Sequence, residues 1–93
     1  MKSFSIEKIP SEVQIELAKR FKKLRRQKKM SQAALAKKSG VSLGSLKRFE
    51  QTGHISLESL LILSHFFDRL TDFDTVFKTD ENWSAIEKLF TKK

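Results

Sequence analysis

The stretch "MSQAALAKKSGVSLGSLKRFEQTG", residues 30–53, constrains the fold more than any other part of the chain. Ser31 stands before an apolar-periodic run, where its hydroxyl can accept an orphan amide hydrogen bond at a helix start. Leu35 and Ala36 face inward from that run. Gly40 occupies the position where a helix ends in a left-handed residue. Val41 is the one apolar residue of the turn, and Ser42 caps the next helix. Leu46 and Phe49, three apart, point inward from it, and Gly53 closes it.

Helices dominate the rest of the chain, which holds one proline and three glycines. Residues 1–10 read as an irregular arm with Phe4, Ile6 and Ile9, ending at Pro10. Ser11 is the expected start of the first helix, with Gln14 placed for a capping box, and the helix is expected to run to about Lys28. Val13, Leu17, Phe21 and Leu24 form its apolar stripe. Lys19, Lys22, Lys23, Arg26 and Lys29 lie on other faces. Ser56 caps a fourth helix with Leu57, Leu60, Leu61 and Phe67 as core. A short fifth helix follows Thr71, with Phe73, Val76 and Phe77. A last one begins near Thr79 or Asp80, with Trp83, Ile86, Leu89 and Phe90 on its apolar face. The expected class is all-α, a small bundle of five or six helices of about 7–17 residues. It divides into an arm (1–10), a central helical unit (11–78) and an amphipathic tail (79–93).

Ninety-three residues make one domain, with net stability of only a few kcal/mol, so a partner subunit is expected. The net charge of +8 is unevenly spread. Residues 1–48 hold 14 Lys and Arg against 3 acids, a balance of +11; residues 49–93 hold 5 against 8, a balance of −3. The first half suits a polyanion and the second suits protein. The chain has no cysteine, which removes disulfides and thiolate metal sites and fits a reducing cytosol. It has no signal-peptide core and no apolar run near the roughly 18 residues of a membrane span; a soluble, cytoplasmic protein is expected. His54 and His65 lack metal-ligand spacing. Asp68, Asp72 and Asp74 lack the glycine and terminal Glu of a calcium loop. No nucleophile, base and orienter stand together. Neither an enzyme nor a cofactor is expected.

Helix, short glycine-containing turn, helix is the helix-turn-helix unit. Small Ala33 and Ala36 let its helices approach closely. Its second helix projects Leu43, Gly44, Ser45, Lys47 and Arg48 outward, where such a helix meets bases and phosphates in the major groove. The stretch "LRRQKKMSQAALAKKSGVSLGSLKRFEQTG", followed by "SLESLLILSHFF", resembles the lambda-repressor-like (XRE/Cro-CI) family over roughly residues 13–77. The resemblance implies that Gln32 and Ser42, at two helix starts, bond DNA phosphates. It implies that Leu43, Gly44, Ser45, Lys47 and Arg48 form the reading face, and that Arg25 and Glu50 form an internal ion pair. The chain departs from that pattern in three places. Leu43 and Gly44 stand where polar readers are usual, which shifts specificity to Ser45, Lys47, Arg48 or DNA shape. The loop after Gly53 offers only His54 as a phosphate donor. Ile62 and Phe66 form a second apolar stripe, expected to be an interface.

The segment "LTDFDTVFKTDENWSAIEKLFTKK" looks like the acidic, aromatic tails of HipB-type regulators, encoded beside HipA-like kinase toxins. That resemblance implies a repressor of its own toxin–antitoxin operon that also binds the toxin. Trp83, Ile86 and Phe90 then meet a partner, or else cap the core. The resulting expectation is a homodimeric repressor on a palindromic operator in double-stranded DNA. The rival is a protein-interaction antitoxin subunit that neutralises a toxin kinase, with DNA binding secondary. A basic membrane-surface protein is excluded by the capped turn and the acidic second half.

Overall fold

The computed structural model describes residues 8–79. Among these residues the chain is all-helical: α1 (Pro10–Gln27), α2 (Gln32–Ser39), α3 (Leu43–Thr52), α4 (Leu57–Phe66) and a single 3-10 turn at Leu70–Phe73. Of the expected five or six helices, four are present among the described residues. The fifth shrinks to the 3-10 turn because "TDFDTV" is built from Asp, Thr, Phe and Val, which stabilise a helix poorly. Val76 and Phe77, assigned to that helix, are exposed. The last helix, with Trp83, Ile86, Leu89 and Phe90, falls outside the described residues.

Local capping fixes the helices around the turn. Ser31, Ser42 and Ser56 each adopt an extended conformation, and each hydroxyl oxygen accepts from the amide three residues on, at Ala34, Ser45 and Ser59. Gly40 and Gly53 end α2 and α3 with φ of 85° and 84°. α1 and α4 stop without glycine. Lys29 (φ 58°) and Asp68 (φ 60°) take the left-handed position, and the next amide reaches back to the Arg25 and Ser64 carbonyls. The start of α1 differs from the expected one. Pro10, with its preset φ, is the first helical residue, and the Glu12 carboxylate accepts from the Ile9 amide. Ser11 lies inside the helix, and Gln14 is used elsewhere.

The core is Ala18, Phe21, Leu35, Val41, Leu46, Phe49, Leu63 and Phe67. Phe21 is its hub: the ring lies 5.5 Å from Phe49 and 5.8 Å from Phe67, tilted against both. The inward face of α1 is Gln14, Ala18, Phe21 and Arg25, with Leu24 packed against the core; of the expected apolar stripe Phe21 and Leu24 turn inward, while Val13 and Leu17 remain exposed. The helix is turned this way because small Ala18 allows close approach and Arg25 has a buried partner. In α4, Leu63 is fully buried, with Leu60 packed at the core's edge. Leu57, in the first turn, projects past the core and is 65% exposed.

Gly53 is the tightest junction. A Cβ there would meet Gln14 backbone and Cβ atoms at 2.9 Å, whereas one on Gly40 would meet nothing within 4 Å. Gly40→Ala is therefore expected to cost about 1–2 kcal/mol from backbone strain alone. Gly53→Ala should cost about 1–3 kcal/mol more from overpacking. Urea denaturation of the two variants, compared with the parent chain, reads the difference; equal losses would mean that α1 yields freely at Gln14.

Candidate nucleic-acid interface

The interface is assembled from an internal polar joint outward. Arg25 donates through Nε to Glu50 Oε2 at 2.7 Å and through Nη2 to Oε1 at 2.9 Å, and Nη1 reaches the Met30 carbonyl at 2.8 Å. Both side chains are almost fully withdrawn from water, at 8% and 2% exposed. The hydrogen bonds it donates to Glu50 hold the Arg25 guanidinium above its ordinary pKa, against the opposing effect of burial. Gln32, at the start of α2, donates its amide to Glu50 Oε1 at 2.9 Å. One carboxylate thus ties α1, the α1–α2 turn, α2 and α3 together, and no buried side-chain polar atom among the described residues lacks a partner.

This network changes what Gln32 can offer. One of its two amide hydrogens is committed to Glu50, which leaves one for a phosphate. Sequence reasoning missed this contact because the two residues are 18 apart in the chain. The Gln14 amide, likewise, donates to the Gly53 carbonyl at 3.4 Å, across 39 residues.

α3 buries Leu46 and Phe49 and leaves Leu43, Gly44, Ser45, Lys47 and Arg48 exposed. The period of the helix puts Gly44, Lys47 and Arg48 opposite Leu46 and Phe49, with Leu43 and Ser45 at the flanks. Ser42 Oγ accepts from the Ser45 amide at 3.1 Å and pairs with Ser45 Oγ at 2.9 Å. Whichever hydroxyl donates in that pair, the other keeps its hydrogen for an external acceptor. Gly44 has helical backbone, and a Cβ on it would meet nothing within 4 Å. Neither strain nor packing requires glycine there.

Arg48 also lines an open polar cleft with Gln14, Ser45, His54, Ile55, Ser56 and Ser59, between the end of α3 and the start of α4. Of these, only Ser45, Arg48 and His54 stood out in the sequence as DNA-facing residues. Ser56 was legible as a helix cap, and Ser59 carried no signal in the sequence. A second basic feature lies on α1, where Lys19, Lys22, Lys23 and Arg26 line a shallow groove with Gln27. Ile62 and Phe66 are 40% and 36% exposed on α4, away from the exposed residues of α3 in sequence and element. Trp83, Ile86 and Phe90 lie outside the described residues. Among the described residues, no group of three or more His, Cys, Asp or Glu could hold a metal ion, and no helix is long and apolar enough to cross a membrane.

A helix-turn-helix family model, that of the lambda-repressor (XRE) type, matches residues 21–73, the span from the hub phenylalanine to the 3-10 turn. The chain belongs to this family of DNA-binding regulators and is a DNA-binding transcription regulator. Comparison with curated proteins and with solved structures finds no match.

Breaking the joint from either side strands a buried charge. Glu50→Ala and Arg25→Ala should each lose about 3–5 kcal/mol, read by chemical denaturation. The double variant should lose much less than the two losses added, because neither charge is then left alone. Simple additivity would mean that the pair is solvated in solution.

Proposed function

We propose that the chain is a sequence-specific transcriptional repressor that lays α3 in the major groove of a palindromic operator as a homodimer. The supporting observation is the clean division of α3. Leu46, Phe49 and Glu50 hold it inward, while Leu43, Gly44, Ser45, Lys47 and Arg48 are exposed on a helix whose start is capped. Arg48 grips a guanine bidentately, Lys47 reaches a base or phosphate, and the Ser45–Ser42 hydroxyl pair and Gln32 meet the backbone. Leu43 contacts a thymine methyl. The basic first half adds sequence-independent attraction.

Gly44 fits the same reading. Glycine inside a helix costs about 0.5–1 kcal/mol relative to alanine, and here the fold gains nothing from it. Its use is close approach of the duplex. Regulation of a toxin–antitoxin operon of HipB type, with binding of a HipA-like kinase toxin, is the finer reading and rests on the sequence of the tail. Its test is co-purification with the product of the adjacent reading frame.

Selection from a random duplex pool supplies the operator; paired titrations against a scrambled duplex then separate the roles. Arg48→Ala should lose about 1–3 kcal/mol on the operator and far less on scrambled DNA. Lys22→Ala should weaken both slightly and equally. Equal losses for Arg48→Ala would reduce it to a phosphate contact. Gly44→Ala should raise stability by about 0.5–1 kcal/mol while weakening operator binding; unchanged binding would remove Gly44 from the interface. With about ten phosphates neutralised per dimer, log K should fall with log salt at a slope of about −9. A slope shallower than about −3 would overturn the electrostatic part of the reading.

A further inference from the structure

We propose that the outer face of α1 is a second seat for duplex phosphate, turned away from the duplex that α3 holds, so that one domain joins two DNA segments. Lys19, Lys22, Lys23 and Arg26 line one shallow groove there with Gln27. They are spaced three and four apart, so each stands beside two of the others on the helix surface. Like charges at that spacing are mildly destabilising. None of the four forms a side-chain hydrogen bond or ion pair among the described residues. Glu16, three residues before Lys19, is already held by Lys8 at 2.7 Å and by Arg20 at 3.8 Å. Core packing does not require the cluster either, since Lys19, Lys23 and Arg26 are exposed.

α1 meets α3 through Gln14, Phe21 and Arg25, which contact Gly53, Phe49 and Glu50. By the helical period, Lys19, Lys23 and Arg26 lie about 120–180° round α1 from the mean direction of those three, and Lys22 about 80°. On α3, Lys47 and Arg48 lie about 110–150° from the direction of Phe49, Glu50 and Gly53. Each helix therefore turns its cations away from the other, and a duplex against α3 leaves the α1 groove facing outward behind it. Charge complementarity names the occupant. Lys19 to Arg26 spans about 10 Å of helix, a length over which duplex DNA carries about six phosphate charges. No aromatic side chain lines the groove to stack on an unpaired base, which favours a duplex over a single strand. The inference rests on α3 holding the operator.

The test is capture of a second duplex. Operator duplex fixed to beads and loaded with the full chain should retain a dye-labelled scrambled duplex added afterwards. Lys19→Gln with Lys23→Gln and Arg26→Gln keeps good helix formers and should leave stability to urea unchanged or raised. In about 0.15 M salt, where charges are screened over about 8 Å, this variant should bind the operator within about threefold of the parent chain. Its capture of the second duplex should fall at least about tenfold. Where the triple variant unfolds, Lys23→Gln alone is read the same way, and Lys19→Arg with Lys23→Arg should keep capture. No capture by the parent chain, or equal capture by the glutamine variant, would overturn the proposal. So would binding through these residues to vesicles of phosphatidylcholine and phosphatidylserine without duplex capture, which would make the face a membrane seat. Operator preference is read separately by the paired titrations. Its absence with capture retained would fail the α3 reading alone; intact preference without capture would fail this proposal alone.

Discussion

The Arg25–Glu50 joint sets the orientation of everything that faces outward. A guanidinium is planar and rigid, and here its donors are divided between a carboxylate on α3 and the carbonyl of Met30 in the turn before α2. The same carboxylate receives Gln32. α1, α2 and α3 cannot rotate about their axes without breaking at least one of these charge-assisted bonds in a site nearly free of water. The apolar core fills the remaining space around Phe21, but apolar contacts are non-directional. The direction in which Lys47 and Arg48 leave α3 is therefore fixed by a polar network one turn or less from them, with Glu50 beside Lys47 and across the helix from Arg48.

The ends of the helices around the turn were legible in the sequence because capping is a local transaction. Ser31, Ser42 and Ser56 bond amides three residues away, and Gly40 and Gly53 supply conformations that other residues resist. The exposure of Leu43, Gly44, Ser45, Lys47 and Arg48 followed from Leu46 and Phe49 by helical period. What failed was non-local. The rotation of α1 depends on Glu50, 25 residues from Arg25. The start at Pro10 came from a carboxylate at Glu12 where the spacing of Ser11 and Gln14 offered an equally good capping pattern. Leu63 was missed because "SLLILSHFF" is apolar on nearly every side, so periodicity cannot say which side is inward.

Charge is segregated along this small chain, whereas exposed apolar surface is not. Basic side chains crowd α1, α2 and α3, and most of the acids come from α4 onward. Exposed apolar residues occur in both halves, with Val13, Ile15, Leu17 and Leu43 among the basic helices and Leu57, Ile62, Phe66 and Leu70 beyond them. The basic half attracts a polyanion through its charge, a long-range effect that such single apolar residues do not cancel.

The open space at Gly44 bears on how such a protein changes over generations. Selection for a folded chain acts on Leu46, Phe49 and Glu50 and scarcely sees positions 43, 44, 47 and 48. Substitutions at those positions can drift, or be redrawn by an engineer, with little loss of foldability. At Gly44 the neutral direction even runs uphill in stability, because alanine is the better helix residue. A lineage that stopped needing this binding preference would be expected to lose the glycine first. On the proposed reading, the glycine serves the approach of the duplex, at a position where the packing of the described residues does not require it.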